Sequence, residues 1–342
     1  MNTPCVAATI DRFGGVDTLH VLPMALPQPK AGQVIVRVAA AAVNPIDVRR
    51  RAGYGRKVFR LTGAARLPLV LGSDVAGTVC AVGPGVRRWR EGDAVFGAKP
   101  PSSEGTHATH VALDAAHLLA QPAGVAPALL ATLPYNFLTV WRALADAGIT
   151  RFSVPGSEVL VHGASGGLGL IAIALLKQMH ANVTAVAGHR GLDACRAAGA
   201  ALVLDRHRRA LDTLPRQFAA TLNFGHWDDD ADLLGRLAPG ARGHATTVHP
   251  LLENTDRYGV IIGMLAALYR KRRSAAAAPR GARYAWTVFR PDSDALDALA
   301  RYAAALPAAP APQCFRLDDV GAAHRHVEQR RAGRAVLLPH EF

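Results

Sequence analysis

The 342 residues predict an α/β protein in two parts, one rich in β-strands and one built on a doubly wound parallel sheet. Three observations lead there. Up to about residue 126, short alternating stretches are punctuated by glycine and proline, as in an all-β region. From residue 158 onward, short apolar runs alternate with helical periodicity. A glycine-rich turn joins the first of those runs to the first of those helices.

In the first part, Gln33-Val34-Ile35-Val36-Arg37-Val38-Ala39 alternates like a strand after the turn Lys30-Ala31-Gly32. Residues 75–83 form a second strand, closed by Gly83-Pro84-Gly85, and residues 92–97 a third, bracketed by glycines. Together they predict a curled, barrel-like sheet. Helical periodicity then covers residues 128–147. The second part follows with strands at 159–162, 183–187, 201–205, 220–224 and 243–248, separated by helices over 168–179 and up to 200. Such alternation builds right-handed βαβ units and a parallel sheet with helices on both faces. Ser274-Ala275-Ala276-Ala277-Ala278-Pro279-Arg280-Gly281 reads as a flexible surface segment, and residues 284–289 as one more strand. Past the proline-rich break at 307–312, residues 316–338 read as a helix followed by a strand.

Composition narrows the function classes. Half the residues are hydrophobic and 19% are charged, the balance of a globular protein. No apolar run approaches the roughly 20 residues of a membrane span. The opening Met1-Asn2-Thr3-Pro4-Cys5-Val6 has neither the basic flank and apolar stretch of a secretion signal nor an Arg- and Ser-rich import leader, so a cytoplasmic location is expected. Cys5, Cys80, Cys195 and Cys314 are too far apart for a zinc-ribbon spacing and are expected as reduced thiols. The net charge of +13 raises the question of nucleic acid. Its clusters, at 49–51, 206–209 and 270–273, carry no interleaved aromatics that would stack bases, and no specific nucleic-acid partner is expected.

The chemistry is carried by Gly163-Ala164-Ser165-Gly166-Gly167-Leu168-Gly169, placed between a strand and a helix. Glycines there permit a tight turn and let backbone N–H groups approach a pyrophosphate, while the last one lets helix and strand pack closely. Because the next strand follows at βαβ spacing, the turn predicts dinucleotide binding. NAD-preferring sites place Asp or Glu at the end of that next strand, to bind the ribose hydroxyls. Here the chain reads Gly188-His189-Arg190-Gly191 instead. His189 and Arg190, with Arg206 past the third strand, suit a 2′-phosphate and so NADPH. Asp193, the one acidic competitor considered, fits better in the first turn of the following helix.

The chain resembles the medium-chain dehydrogenase/reductase superfamily, in its zinc-free quinone oxidoreductase (zeta-crystallin-like) branch. The matching pieces are Val43-Asn44-Pro45-Ile46-Asp47, Gly53-Tyr54-Gly55, the segment from Pro68 to Gly77, Gly83-Pro84-Gly85-Val86, Gly92-Asp93-Ala94-Val95, Leu133-Pro134-Tyr135, Leu138-Thr139-Val140-Trp141 and the glycine turn. Val248-His249-Pro250-Leu251-Leu252, Asp256-Arg257-Tyr258-Gly259 and Tyr284-Ala285-Trp286 are similar to the mitochondrial reticulon-interacting oxidoreductases and their bacterial relatives. The resemblance implies a GroES-like catalytic domain from residues 1–126 and 292–342, and a Rossmann cofactor domain from 127–291. Zinc-dependent members carry a Cys near the Asn44 position, Gly-His-Glu where this chain has Gly72-Ser73-Asp74, and a four-cysteine lobe. None of these is present, so no metal is expected.

The resemblance further places Tyr54 as hydrogen-bond donor to the substrate and Asn44 as a second, amide donor, with Asp47 assisting or holding the loop. It puts Thr139, Asn223, Thr247 and Val248 near the cofactor beside the glycine turn. The expected reaction is hydride transfer from NADPH to a quinone or α,β-unsaturated carbonyl, by a homodimer acting on a small-molecule substrate. Two alternatives stay open: an enoyl or alkenal reductase that tailors a biosynthetic product, and a dinucleotide-binding scaffold without turnover.

Overall fold

The computed structural model describes residues 5–101, 104–306 and 311–340. Residues 1–4 of the opening segment and 307–310 of the proline-rich break lie outside them. In chain order come β1 (Cys5–Ile10), β2 (Leu19–Met24), β3 (Gln33–Val43), α1 (Pro45–Arg51), α2 (Arg56–Leu61), β4 (Leu69–Val70), β5 (Asp74–Val82), β6 (Ala94–Ala98), β7 (His110–Asp114), β8 (Leu118–Ala120) and α3 (Pro127–Leu130). They are followed by α4 (Pro134–Asp146), β9 (Glu158–His162), α5 (Gly167–Gln178), β10 (Asn182–Ala187), α6 (Leu192–Ala198), β11 (Leu202–Asp205), β12 (Ala220–Asn223), α7 (Asp230–Gly235), β13 (Gly243–Thr246), α8 (Leu251–Tyr258), α9 (Val260–Ala277) and β14 (Arg283–Trp286). The chain closes with α10 (Ser293–Ala304), β15 (Gln313–Arg316), α11 (Val320–Glu328) and β16 (Ala335–Leu338).

The chain folds as two compact units, residues 1–135 with 291–342, and residues 136–290. In the first, a seven-stranded sheet runs β15-β16-β3-β5-β6-β8, with β7 also paired to β3, and a smaller sheet runs β2-β1-β4. Its long central strand β3 is mostly Val and Ala, and shifts of register against β5 near Val36 and Ala40 curl it. Val34, Val36, Val38, Val75, Val79, Val95 and Val111 close a core from these strands. β-branched side chains suit such a pleated interior. A second core joins β16 and α11 to Ala8 and Val43, which ties the C-terminal segment to the first strands.

The second unit is one six-stranded sheet, all parallel, in the order β11-β10-β9-β12-β13-β14. The order reverses beside β9, so the carboxyl ends of β9 and β12 flank a topological switch point, where open α/β sheets bind their ligands.

Several sequence expectations are corrected. The helix predicted over 128–147 is two helices: Pro134 cannot continue α3 and instead begins α4. Residues 274–277 are not a flexible segment but the last turn of α9, because alanine is the best helix former, and the helix stops where Pro279 approaches. The strand expected at 284–289 is the four-residue β14. β1, β2, α1 and α2, which carry no strong periodicity, were not anticipated.

Candidate functional site

The glycine turn leaves the end of β9 at the switch point. Gly163 has φ +71°, and a Cβ on it would lie 2.6 Å from the Gly225 nitrogen in the turn after β12. That position therefore admits only glycine. At Gly169 a Cβ would come within 2.4 Å of the Ala164 carbonyl oxygen, which keeps α5 pressed against the turn that precedes it. Gly166 caps α5 without any side-chain hydrogen bond. The first backbone bond into the helix is Leu170 N–H to Gly166 C=O, at 3.0 Å. Among the described residues, the N–H groups of Gly167, Leu168 and Gly169 thus have no acceptor. Three open donors at the positive end of a 12-residue helix form an anion site. Ser165 is half-buried against Gly191, where a Cβ would lie 2.1 Å from the serine Cβ, so the turns after β9 and β10 interlock.

At the end of β10 the chain turns through Gly188, His189 and Arg190 in a 3-10 turn. His189 and Arg190 are exposed and Arg206 is half-buried. Asp193 lies in the first turn of α6 and pairs with Arg196 at 2.6 Å. The sequence reading missed Asp205. At the end of β11 its carboxylate lies 3.4 Å from His189 Nδ1 and accepts the His207 N–H at 3.0 Å. That backbone bond, with His189 nearby, holds its pKa below the usual carboxylate range. One carboxylate therefore stands beside the basic group formed by His189, Arg190 and Arg206.

The turn after β12 corrects a second expectation. Asn223 is buried, and both its amide hydrogens are engaged, with His226 C=O at 2.8 Å and Asp230 at 3.0 Å. Its oxygen accepts the Gly225 N–H at 3.0 Å. It shapes the turn and has no hydrogen left for a cofactor. Thr247 and Val248 follow β13, half-buried, with the Thr247 N–H bound to Asn223 C=O at 3.1 Å. Thr139 is buried on α4. His162, the last residue of β9, lies directly under Gly225 and meets Asp229 at 2.7 Å, while burial pushes its pKa down. Behind the turn, Asp230 meets His244 at 2.8 Å and Tyr284 at 2.8 Å. Burial alone would raise that carboxyl, but bonds from His244, Asn223 and Tyr284 outweigh it and hold the pKa low.

In the first unit, the expected catalytic residues fall into two groups. Tyr54 is half-buried in the turn after α1, its ring under the Arg49 guanidinium at 3.6 Å and its N–H on Arg49 C=O at 2.9 Å. Asn44 and Asp47 are wholly buried. Asn44 caps α1 reciprocally with Asp47, whose carboxylate takes the Asn44 N–H at 2.8 Å and the Gly72 N–H at 3.2 Å. The Asn44 side chain donates to Asp74 at 2.8 Å and accepts from Arg334 at 2.5 Å. Asp74 also accepts the Tyr135 N–H at 2.6 Å. The amide expected to face substrate is thus an interior anchor, because a carboxylate and a guanidinium already hold it. Burial raises the pKa of Asp47, and it pushes Asp74 up to about 7. His107, bound to Ala42 C=O at 3.0 Å, is pushed down by burial.

These donors do not fit a zinc ion. At 44, 73 and 74 the chain offers an amide, a buried hydroxyl and one carboxylate that is already hydrogen-bonded, with the Arg334 cation beside them. Among the described residues, no three His, Cys, Asp or Glu side chains are grouped to hold a metal ion. All four cysteines are free. The basic cluster at 49–51 is not a surface patch, since Arg50 and Arg51 are buried, bound to Ala64 C=O and to Glu328. No described helix is long and apolar enough to cross a membrane.

A β-rich unit made from both ends of the chain, with a parallel sheet in the order 3-2-1-4-5-6 inserted between them in sequence, defines a two-domain dinucleotide-binding class. Residues 30–124 match the alcohol dehydrogenase GroES-like domain family. The human mitochondrial NAD(P)H oxidoreductase RTN4IP1 is 31% identical over 98% of this chain and 89% of its own length. The chloroplastic NADPH-dependent alkenal/one oxidoreductase of Arabidopsis thaliana is 34% identical over 60% of this chain and 53% of its own. Among solved structures, the quinone oxidoreductase of Coxiella burnetii superposes with a TM-score of 0.81 at 23% identity, covering 98% of this chain and all of that one. The chain belongs to the medium-chain dehydrogenase/reductase superfamily, in its quinone oxidoreductase-like branch.

Proposed function

We propose that the chain is an NADPH-dependent, zinc-independent reductase that passes hydride to a quinone or an α,β-unsaturated carbonyl. The observation that carries this reading is the open N-terminus of α5 at the switch point, next to a basic group and with no carboxylate at the end of β10. The names of its relatives, an NAD(P)H oxidoreductase and an alkenal/one oxidoreductase, support the same chemistry.

The fit to a dinucleotide rests on three open N–H groups and on a turn where added Cβ atoms would collide. Gly167, Leu168 and Gly169 bind the pyrophosphate through their N–H groups, while His189, Arg190 and Arg206 bind the 2′-phosphate. The bound nicotinamide supplies the hydride. Thr247 and Val248 position its ring. Tyr54 donates a hydrogen bond to the carbonyl or quinone oxygen, which gains negative charge as hydride arrives. Asn44, Asp47, Asp74 and Arg334 hold α1, and through the Arg49 carbonyl they hold the Tyr54 turn. They are positioning residues. A neutral donor suffices because quinones and enones are electrophilic without a Lewis acid.

Turnover is tested by following the loss of nicotinamide absorbance with a panel of quinones and enones. NADPH oxidation should depend on the acceptor, and Tyr54→Phe should lower kcat on the order of 100-fold with little change in KM. Unchanged kcat removes Tyr54 from this role. Arg190→Ala combined with Arg206→Ala should weaken NADPH relative to NADH by tenfold or more, read by titration of each cofactor, at roughly 1.5 kcal/mol per charged hydrogen bond. Equal loss for both cofactors would remove the 2′-phosphate assignment.

A further inference from the structure

α9 turns its large apolar side chains the wrong way for a core helix. Gly263 and Ala267 face inward and are buried. The fit there is tight: a Cβ on Gly263 would lie 2.5 Å from the Asn254 carbonyl oxygen and the Thr255 Cα of α8. Only small residues can occupy that side, so Ile261, Leu265 and Leu268, spaced four and three residues apart, line the opposite side. Ile261 is 76% exposed, Leu265 62% and Tyr269 68%, and Ile262, Met264 and Leu268 are exposed with them. A contiguous apolar face of this kind on a described surface marks an interaction site. Three turns on, the same helix carries Arg270-Lys271-Arg272-Arg273, of which the three arginines are exposed. Arg272 continues the line of Ile261, Leu265 and Leu268. Lys271, with Arg142 and Arg290, also lines a cavity of about 340 Å³ floored by Trp286, where the one carboxylate, Asp146, is already paired with Arg142 at 2.9 Å.

We propose that α9 docks this protein on an anionic lipid surface, its apolar turns seated at the headgroup boundary and its arginines on the lipid phosphates and carboxylates. Charge decides the occupant. A second copy packing its apolar turns on these would cover only the first half of the helix and leave both runs of Arg270–Arg273 without an anionic partner, on a chain already carrying +13. An anionic bilayer satisfies both halves of the helix, the apolar part by burial and the basic part by attraction. The apolar stretch, about ten residues, is too short to span, so the attachment is peripheral. This inference stands apart from the reductase reading, since no nicotinamide chemistry enters it.

The test is co-sedimentation of the full chain with phosphatidylcholine vesicles, with and without phosphatidylserine. Binding should require phosphatidylserine and weaken with added salt. Ile261→Asp with Leu265→Asp should weaken it by roughly tenfold or more. Arg272→Ala with Arg273→Ala should weaken it roughly 25-fold, about fivefold for each charge. All four positions are exposed, so near-ultraviolet circular dichroism should match the parent chain. No binding to phosphatidylserine vesicles, equal binding to neutral ones, or full binding by the aspartate pair would overturn the proposal. So would conversion of a dimer to a monomer by that pair in light scattering, which would assign the face to a second copy.

Discussion

The glycine turn of the second unit and the Asn44–Asp74 cluster of the first are both dense in polar groups, and they use them in opposite ways. Around Asn44 the side chains satisfy one another: amide to carboxylate, guanidinium to amide, backbone N–H to carboxylate. At the glycine turn the donors are backbone N–H groups, and α5 begins with three of them unanswered. A buried polar group must find its partner inside the protein, whereas a binding site must leave its partner outside it. The contrast separates scaffold from site, and it moves Asn44 and Asn223 to the scaffold although both lie in segments that resemble functional motifs.

The largest effect that would test this contrast concerns Asp74. Its carboxyl titrates at about 7 in the folded chain against an ordinary 3.8, so the folded state holds the proton more tightly. Stability from this group is therefore full below about pH 4 and is lost as pH rises through about 7, at an overall cost of about 4 kcal/mol. Asp74→Asn should flatten the fall in urea-unfolding stability across that range. An unaltered profile would mean that the cluster does not carry a buried charge.

Next in size, Gly163→Val places a branched side chain where the Gly225 nitrogen already stands, at a φ that valine avoids. NADPH affinity should fall by about 100-fold or more in a calorimetric titration. The pH profile assigned to Asp74 should be retained, because the two features belong to different units. The smallest effect sharpens the comparison. Asp205→Asn removes the carboxylate that lies 3.4 Å from His189 Nδ1 and should raise the NADPH-over-NADH preference about two- to threefold. A fall in that preference would show that Asp205 orders the basic group rather than opposing it.

The sequence showed most clearly what periodicity and glycine record. The parallel sheet and the glycine turn were legible because each strand is a short apolar run and the turn stands at βαβ spacing. The fate of polar side chains was not legible. Asn44 looks available as a letter, and only the fold reveals that Asp74 and Arg334 close around it. Arg334 lies 290 residues from Asn44, a pairing that no local pattern announces. Asp205 was passed over because the reading looked for a carboxylate at the end of β10, while the parallel pairing of β10 with β11 brings the end of the neighbouring strand alongside. The alanine run at 274–277 misled because low complexity suggests looseness, whereas alanine extends a helix.

The contact between Ser165 and Gly191 bears on anyone who would redesign the cofactor preference. The usual strategy replaces the segment after the second strand with one from an enzyme of the other specificity, leaving the first turn alone. Here a donor segment with any side chain at position 191 would strike Ser165 and displace the glycine turn proposed to hold the pyrophosphate. The two turns behave as one part, and a graft that changes preference without losing affinity has to exchange them together.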